Sequence, residues 1–376
     1  MQRITRFGPH RYLPGESVLI SPSAGASLDG AYRDITIDST NIDADLTDYP
    51  LPLIIGTSSG QTNVDLSGIL DTDSSKIHVH DSNGFNCKIE IQRWDAVNDI
   101  GILWVKVPSI SSSQDTTIRI YYDSDLSGNT EIGAVGSANG ISVFSSYYKH
   151  VWHMETADFA VDASDSVGTQ DLNSTNGTAG PSKITGGVMG GNCLDFSTSD
   201  TERKYAGSGI FDFEDQTLIT LEGWHKPTTL PNTFNTILML GNATGSADST
   251  GIRFNNDYAE FMVVLQSTAR TVVFPTIATA DNWYHVAGRW SGTGTVIDVY
   301  QNGVKQAGVT EYNQAGIDRT TVSACAGNTR YATGRGVNGP VNELRIANLA
   351  LTDAFLKANY YSQADNILTW GAEAGV

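Results

Sequence analysis

Short β-forming runs, cut off at close intervals by turn-forming residues, constrain this chain more than any other feature. From Tyr32 onward, YRDITID, LPLIIG, KIHVHD, CKIEIQRWD, GILWVKVP and TTIRIYYD are each bounded by Gly, Pro, Asp or Ser. Apolar and polar residues alternate in IHVH and KIEIQRW, so one side of each strand is expected to face a core and the other water. The 38 glycines and the dense Ser, Thr, Asn and Asp come too often for long helices. Six such runs within about 90 residues suit a compact sandwich.

Residues 124–149 are Gly/Ser-rich and hold few strand runs, which places a boundary there. Beyond HVWHME the strand pattern returns in CLDFS, LITLEGWHKP, NTILMLGN, GIRFN, AEFMVVLQ, RTVVFP, WYHVAGRWSG, VIDVYQNGVKQ and PVNELRIAN. Asn302-Gly303 and Asn255-Asn256-Asp257 have the chemistry of hairpin turns. Trp224, Trp283, Trp290 and Tyr300 occupy strand positions and are expected in the core. Only LTDAFLKANYYS reads as a helix, with Thr352 as N-cap and Phe355, Leu356 and Tyr360 on one side. The expected fold is all-β: two antiparallel β-sandwich (jelly-roll) domains in tandem behind an extended N-terminal arm. The divisions are an arm at 1–29, a small sandwich at 30–125, a Gly/Ser-rich linker at 126–149 and a larger sandwich at 150–376.

Charge narrows the partners. Against 41 Asp+Glu stand 23 Lys+Arg, a net of -18, which argues against nucleic acid and anionic membrane surfaces, both of which demand clustered cations. No apolar stretch nears the roughly 20 residues that cross a bilayer, so no membrane insertion is expected. Cys87, Cys193 and Cys325 are too far apart for a disulfide framework or a metal knuckle and read as buried thiols. The first 28 residues carry Arg3, Arg6 and Arg11 but no apolar signal segment, so folding in a cytoplasm is expected, with the arm docking to an acidic partner.

Two motifs fail on context. Gly56-Thr57-Ser58-Ser59-Gly60 has nucleophile-elbow spacing, but a polar turn follows it where a helix is required. Gly334-Arg335-Gly336-Val337-Asn338-Gly339 has dinucleotide-loop spacing, yet it precedes a strand instead of opening a helix. His78 and His80 share one face of a short strand, and a satisfied or exposed pair is the ordinary meaning of that spacing.

The run AYRDITIDSTNIDADLTDYPLPLII, with IEIQRWD, ILWVKVPSISSSQDTTIRIYYD and SSYYKHVWHME, resembles a small β-sandwich domain of uncharacterised function found in microbial and viral surface proteins. In that family it typically precedes a concanavalin A-like (LamG-type) lectin domain, which LITLEGWHKP, DNWYHVAGRWSGTGTVIDVYQNGVKQAG and VNELRIANLALTDAFLKANYYSQ resemble. The resemblance covers residues 31 to 376 and implies fold more than function, since this sandwich hosts lectins, enzymes and scaffolds. Laminarinase-like members carry Glu-x-Asp-x-x-Glu on one strand. That spacing is missing here, where Glu260 and Asp298 stand isolated, so no enzyme is expected.

Calcium is the candidate cofactor. Asp158, Asp162 and Asp165 share a loop and Asn342-Glu343 lie on the closing strand, and related sandwiches sometimes hold calcium in such loops. For sugar, the candidates are Tyr331 with Arg330 and Arg335, and Tyr258 beside Asn255, Asn256 and Asp257, because saccharides need aromatic faces and hydroxyl-binding polar groups. The leading expectation is a multicopy protein, homo-oligomeric or repeated, on the surface of a virion such as a tailed phage. The arm would join it to other virion proteins while the lectin-like domain meets a host cell-surface glycan, repetition supplying avidity. Alternatives are an extracellular microbial adhesin or carbohydrate-binding accessory module, and a glycan-active enzyme with non-standard acids.

Overall fold

The structure, a computed structural model, describes residues 28–155, 161–168, 170–174, 180–196, 204–205, 218–229, 234–241, 249–265, 268–291, 296–311, 323–328 and 335–375. All six early runs are strands, and they assemble two four-stranded sheets. One sheet runs Leu368–Trp370, Tyr32–Ile37, Thr116–Tyr121 and His78–His80 in spatial order; the other runs Leu46–Gly56, Ile100–Ile110, Ile89–Asp95 and Ile132–Ala134. Their alternate residues Ile35, Ile37, Leu51, Leu53, Leu103, Val105, Ile118 and Ile120 fill the space between. Pro50 and Pro52 are tolerated because their strand is the edge of its sheet, where a missing N–H costs no ladder bond.

The larger unit also has two sheets. The inner one orders Ser182–Thr185, Asn192–Phe196, Gly339–Ala347, Leu218–His225, Tyr284–Ser291, Val296–Gln301 and Val304–Glu311, with His150–Trp152 also paired to Gly339–Ala347. The outer one orders Thr268–Ile277, Tyr258–Leu265, Ser249–Asn255, Phe234–Gly241, Ser323–Ala326, Lys204–Tyr205 and Asn173–Ser174. Between them lies a core that includes Trp152, Leu221, Ile237, Phe254, Phe261 and Trp290. The fold is therefore all-β, made of antiparallel sandwiches, as expected.

The stretch 126–149 is not an open linker. Ile132–Ala134 adds to a sheet in parallel to Ile89–Asp95, and helix α1 (Ala138–Phe144) buries Val143 and Phe144 after a cap in which Ser137 Oγ accepts from the Gly140 N–H. Its glycines hide the helix: Gly140 sits where a Cβ would press on the Glu90 carboxylate and the Ala134 carbonyl.

Nor does the chain beyond residue 150 stay in the second unit. After helix α2 (Asp353–Gln363), capped by Thr352 as expected, Leu368–Trp370 returns to pair with Tyr32–Ile37. Ile367, Leu368 and Trp370 are buried there because they close the open edge of the first unit's sheet. Phe355 and Leu356 of α2 join the same apolar cluster, as do Ala287, Tyr300 and Ala347 from the back of the inner sheet.

Strand polarity departs from expectation too. Glu90 and Gln92, on the expected water face of Ile89–Asp95, are buried, because the second unit covers that face. His78 and His80 are buried as well: Ser127 and Asn86 lie against His78, and His80 packs tilted against Tyr121, ring centroids 4.9 Å apart. Trp224, Trp290 and Tyr300 are buried, whereas Trp283 precedes its strand and is half-exposed.

Candidate functional site

The outer sheet of the larger unit brings two of the sequence candidates together. Ser249–Asn255 and Tyr258–Leu265 form a hairpin whose tip holds Asn256 in the left-handed region (φ 51°), a conformation that Asn tolerates. Its register sets Arg253 opposite Glu260 and Asn255 opposite Tyr258. Since Ile252, Phe254, Ala259 and Phe261 point into the core, those four residues take the outer face. The adjoining strand places Phe234 opposite Asn255, and the Thr236 N–H donates to the Arg335 carbonyl at 3.0 Å, which brings the Gly-rich segment alongside.

Phe234 is the centre of this arrangement. The Arg253 guanidinium lies 3.8 Å from its ring centroid and that of Arg335 lies 5.1 Å away, both within cation–π range. Arg253 is neutralised: its Nε donates to Glu260 Oε1 at 2.6 Å, while Asn255 Nδ2 donates to Glu260 Oε2 at 2.7 Å. Arg253 and Glu260 are buried, whereas Phe234, Asn255, Tyr258 and Arg335 are partly exposed above them. Arg335 has no carboxylate partner among the described residues. The result is a surface with an aromatic face, a phenol, an amide and a guanidinium fork over a buried ion pair.

Sequence reasoning placed Arg335 and Asn255 in separate loops and missed both Phe234 and Arg253. A phenylalanine at the head of an apolar run reads as core, and only strand register reveals that it faces outward. Asn256 and Asp257 occupy the hairpin tip beside this surface. Tyr331 and Arg330 lie outside the described residues, as do Arg3, Arg6 and Arg11 of the arm.

The calcium candidates are not gathered. Asp158 lies outside the described residues and Asp162 is exposed. Asp165 is consumed by protein donors: Oδ2 meets His150 Nδ1 at 2.6 Å, and Oδ1 accepts from the Val151 and Val167 N–H groups. Asn342 Nδ2 donates to the His153 carbonyl, and its Oδ1 accepts from the Val188 N–H. Among the described residues no cluster of three or more His, Cys, Asp or Glu is arranged to hold a metal.

Glu343 serves a different purpose. It lies in a β-bulge, since Glu222 pairs with Arg345 while Trp224 pairs with Asn342, and its φ of 50° is left-handed. The bulge turns its carboxylate to His153 Nδ1 at 2.8 Å, while His153 Nε2 reaches Glu90 Oε1 of the first unit, also at 2.8 Å. Gln92 and Arg345 donate to the Glu343 carboxylate, Ser166 to that of Glu90, and Trp104 stacks on the imidazole at 5.6 Å. Burial pulls the His153 pKa down, but Glu343 and Glu90 outweigh it and hold it at about 9. Its members are buried, His153 and Gln92 lie in the wall of a cavity of about 120 Å³ shared with Met154 and Glu155, and the cluster fastens the two units together.

Comparison with known proteins fits this architecture. Residues 200–356 match the profile of the concanavalin A-like lectin/glucanases superfamily, and residues 73–149 match that of a domain of unknown function, DUF2341. No curated protein matches the sequence. Similar solved structures include domain 4 of AbnA, a GH43 extracellular arabinanase from Geobacillus stearothermophilus, at 16% identity, 56% of this chain, 97% of that one and TM-score 0.44. The binding domain of Paraclostridial Mosquitocidal Protein 1 follows at 11% identity, 58% coverage of this chain and TM-score 0.45, and the chain spans 52% of its length. The CBM40 of Ruminococcus gnavus IT-sialidase is 14% identical over 45% of this chain and 96% of that one, with TM-score 0.35. At such distances the likeness carries no argument about ligands. The two profile matches fall one on each of the paired sandwiches: residues 73–149 resemble DUF2341, and residues 200–356 resemble the concanavalin A-like lectin/glucanases superfamily.

Proposed function

We propose that this is a non-catalytic carbohydrate-recognition protein and that the Phe234 surface of the lectin-type unit is its binding face. The observation that carries the reading is the convergence of Phe234, Tyr258, Asn255 and Arg335 on one partly exposed sheet face. An aromatic ring supplies a platform for the C–H face of a pyranose, and the amide and guanidinium supply the directed hydrogen bonds that orient it. A non-catalytic role is supported, among the described residues, by how four carboxylates of the lectin-type unit are used. Glu222 faces His285, Glu260 faces Arg253, Asp298 faces Arg289 and Glu343 faces His153. A glycosidase needs a carboxyl pair open to the scissile bond. In titrations against a saccharide panel, Phe234→Ala should weaken binding about two- to tenfold, since an aromatic contact is worth about 0.5–1.5 kcal/mol beyond its buried area. Undiminished binding by that variant, or reducing-end release from the panel, would refute the reading.

We further assign the protein to the surface of a virion, where many copies present this face to a host glycan. Cys87 and Cys193 are buried thiols in no disulfide, as suits folding in a reducing compartment. Mass spectrometry of purified particles that finds no peptide from this chain would dismiss the assignment.

A further inference from the structure

We infer that the saccharide taken by the Phe234 face carries a carboxylate, and that Arg335 reads it. This rests on the recognition face proposed above and narrows its ligand to a class. Two guanidiniums lie over one ring, and only one of them is spent. Arg253 is buried and locked to Glu260, whose second oxygen is held by Asn255. Arg335 is partly exposed, finds no carboxylate among the described residues, and reaches only the π-face of Phe234.

A planar guanidinium without an acid partner, anchored on an aromatic ring, is organised for a bidentate bond to a carboxylate. Asn255 keeps its Oδ1 without a partner among the described residues, so an acceptor for a sugar hydroxyl lies beside it. Asp257 at the neighbouring hairpin tip adds a negative charge, which disfavours a densely charged polymer and leaves room for one acidic group per site. The ligand class is therefore a uronic-acid type sugar, its carboxylate on Arg335 and its ring against the exposed edge of Phe234 and Tyr258.

Titration calorimetry of the full chain tests this with a galacturonate-terminated and a glucuronate-terminated trisaccharide, each against the same compound after reduction of its single carboxyl to the alcohol. Reduction is expected to weaken binding at least about tenfold, the worth of one charge-assisted hydrogen bond. Arg335→Gln should lower the acid's affinity to that of the reduced compound, and Arg335→Lys should recover part of the loss by restoring charge without the fork. Circular dichroism on both variants separates misfolding from lost recognition. Equal affinity of the wild type for acid and reduced forms would overturn the carboxylate preference while leaving the recognition face standing. Failure of both the acid and the reduced forms to bind would remove the carboxylate inference, and the saccharide panel above would then decide the recognition face by itself.

Discussion

Asp365 shows how a single side chain can oppose the fold that holds it. Its Oδ2 accepts from the Gly60 N–H at 2.6 Å while Oδ1 is buried without a partner, and its φ of 56° lies in the left-handed region. Burial outweighs that hydrogen bond and lifts its pKa to about 6. The folded state thus holds the proton more tightly than the unfolded chain does. The gain is fully present below the ordinary carboxylate value and is lost as pH rises through about 6, so at neutral pH the charge is a cost. Asp365→Asn keeps an acceptor for Gly60, removes the buried charge and suits the left-handed backbone. It is expected to stabilise the protein by about 1–2 kcal/mol at pH 7 and to lose most of that benefit below pH 4, read as denaturant midpoints at the two pH values. A destabilised variant at pH 7 would mean that the carboxylate has a partner such as bound water.

Leu368–Trp370 lies at the far end of the chain, yet it belongs mechanically to the beginning. Trp370 covers Gly60 so closely that a Cβ there would strike its indole, and its strand seals the Tyr32–Ile37 edge. Trp370→Ala should cost about 3–5 kcal/mol, the usual penalty for emptying a buried tryptophan site. Hydrogen exchange should rise first at Tyr32–Ile37, with the Leu218–His225 amides still protected; the opposite order would break the argument. That pairing was invisible in the sequence, because LTW carries strand propensity but nothing that names its partner. The early strands were legible because their alternation survives burial of one face. Glu90 and Gln92 misled because the second face is also buried, against another unit whose donors no local pattern announces. Helix α1 was hidden by Gly140, which lets it pack on Glu90, and Phe234 by an apolar run that hides its outward turn. Of the recognition face, the turn chemistry at Asn255–Asp257 and Arg335, grouped with Arg330 and Tyr331, were readable, while the meeting of Asn255 and Arg335 at one ring required the register of three strands.

The two sandwiches are fastened as one body. A single apolar cluster runs from Ile35 through Phe355 to Tyr300, and the Glu90–His153–Glu343 bridge crosses the same seam. Glu155 strengthens it from the second unit by accepting from Arg93 of the first at 2.7 Å. The His153 pKa is raised from the ordinary value near 6.5 to about 9, so its contribution is complete below about pH 6.5 and disappears as pH rises through about 9. That contribution is on the order of 3 kcal/mol. Above that pH the neutral ring can donate to only one of two facing carboxylates, and both remain buried. The thiols of Cys87 and Cys193 do not confuse this window, because burial pushes each up to about 12. Calorimetry should therefore give one cooperative transition at pH 7, and between pH 8 and pH 10 the Tm should fall and the transition should broaden or divide as the units uncouple. His153→Gln, which can donate from its amide without carrying charge, should melt lower at pH 7 and stay nearly flat across the same window. If the wild type melts as one transition with unchanged Tm from pH 7 to pH 10, the charged bridge does not hold the units together and the shared apolar cluster alone must.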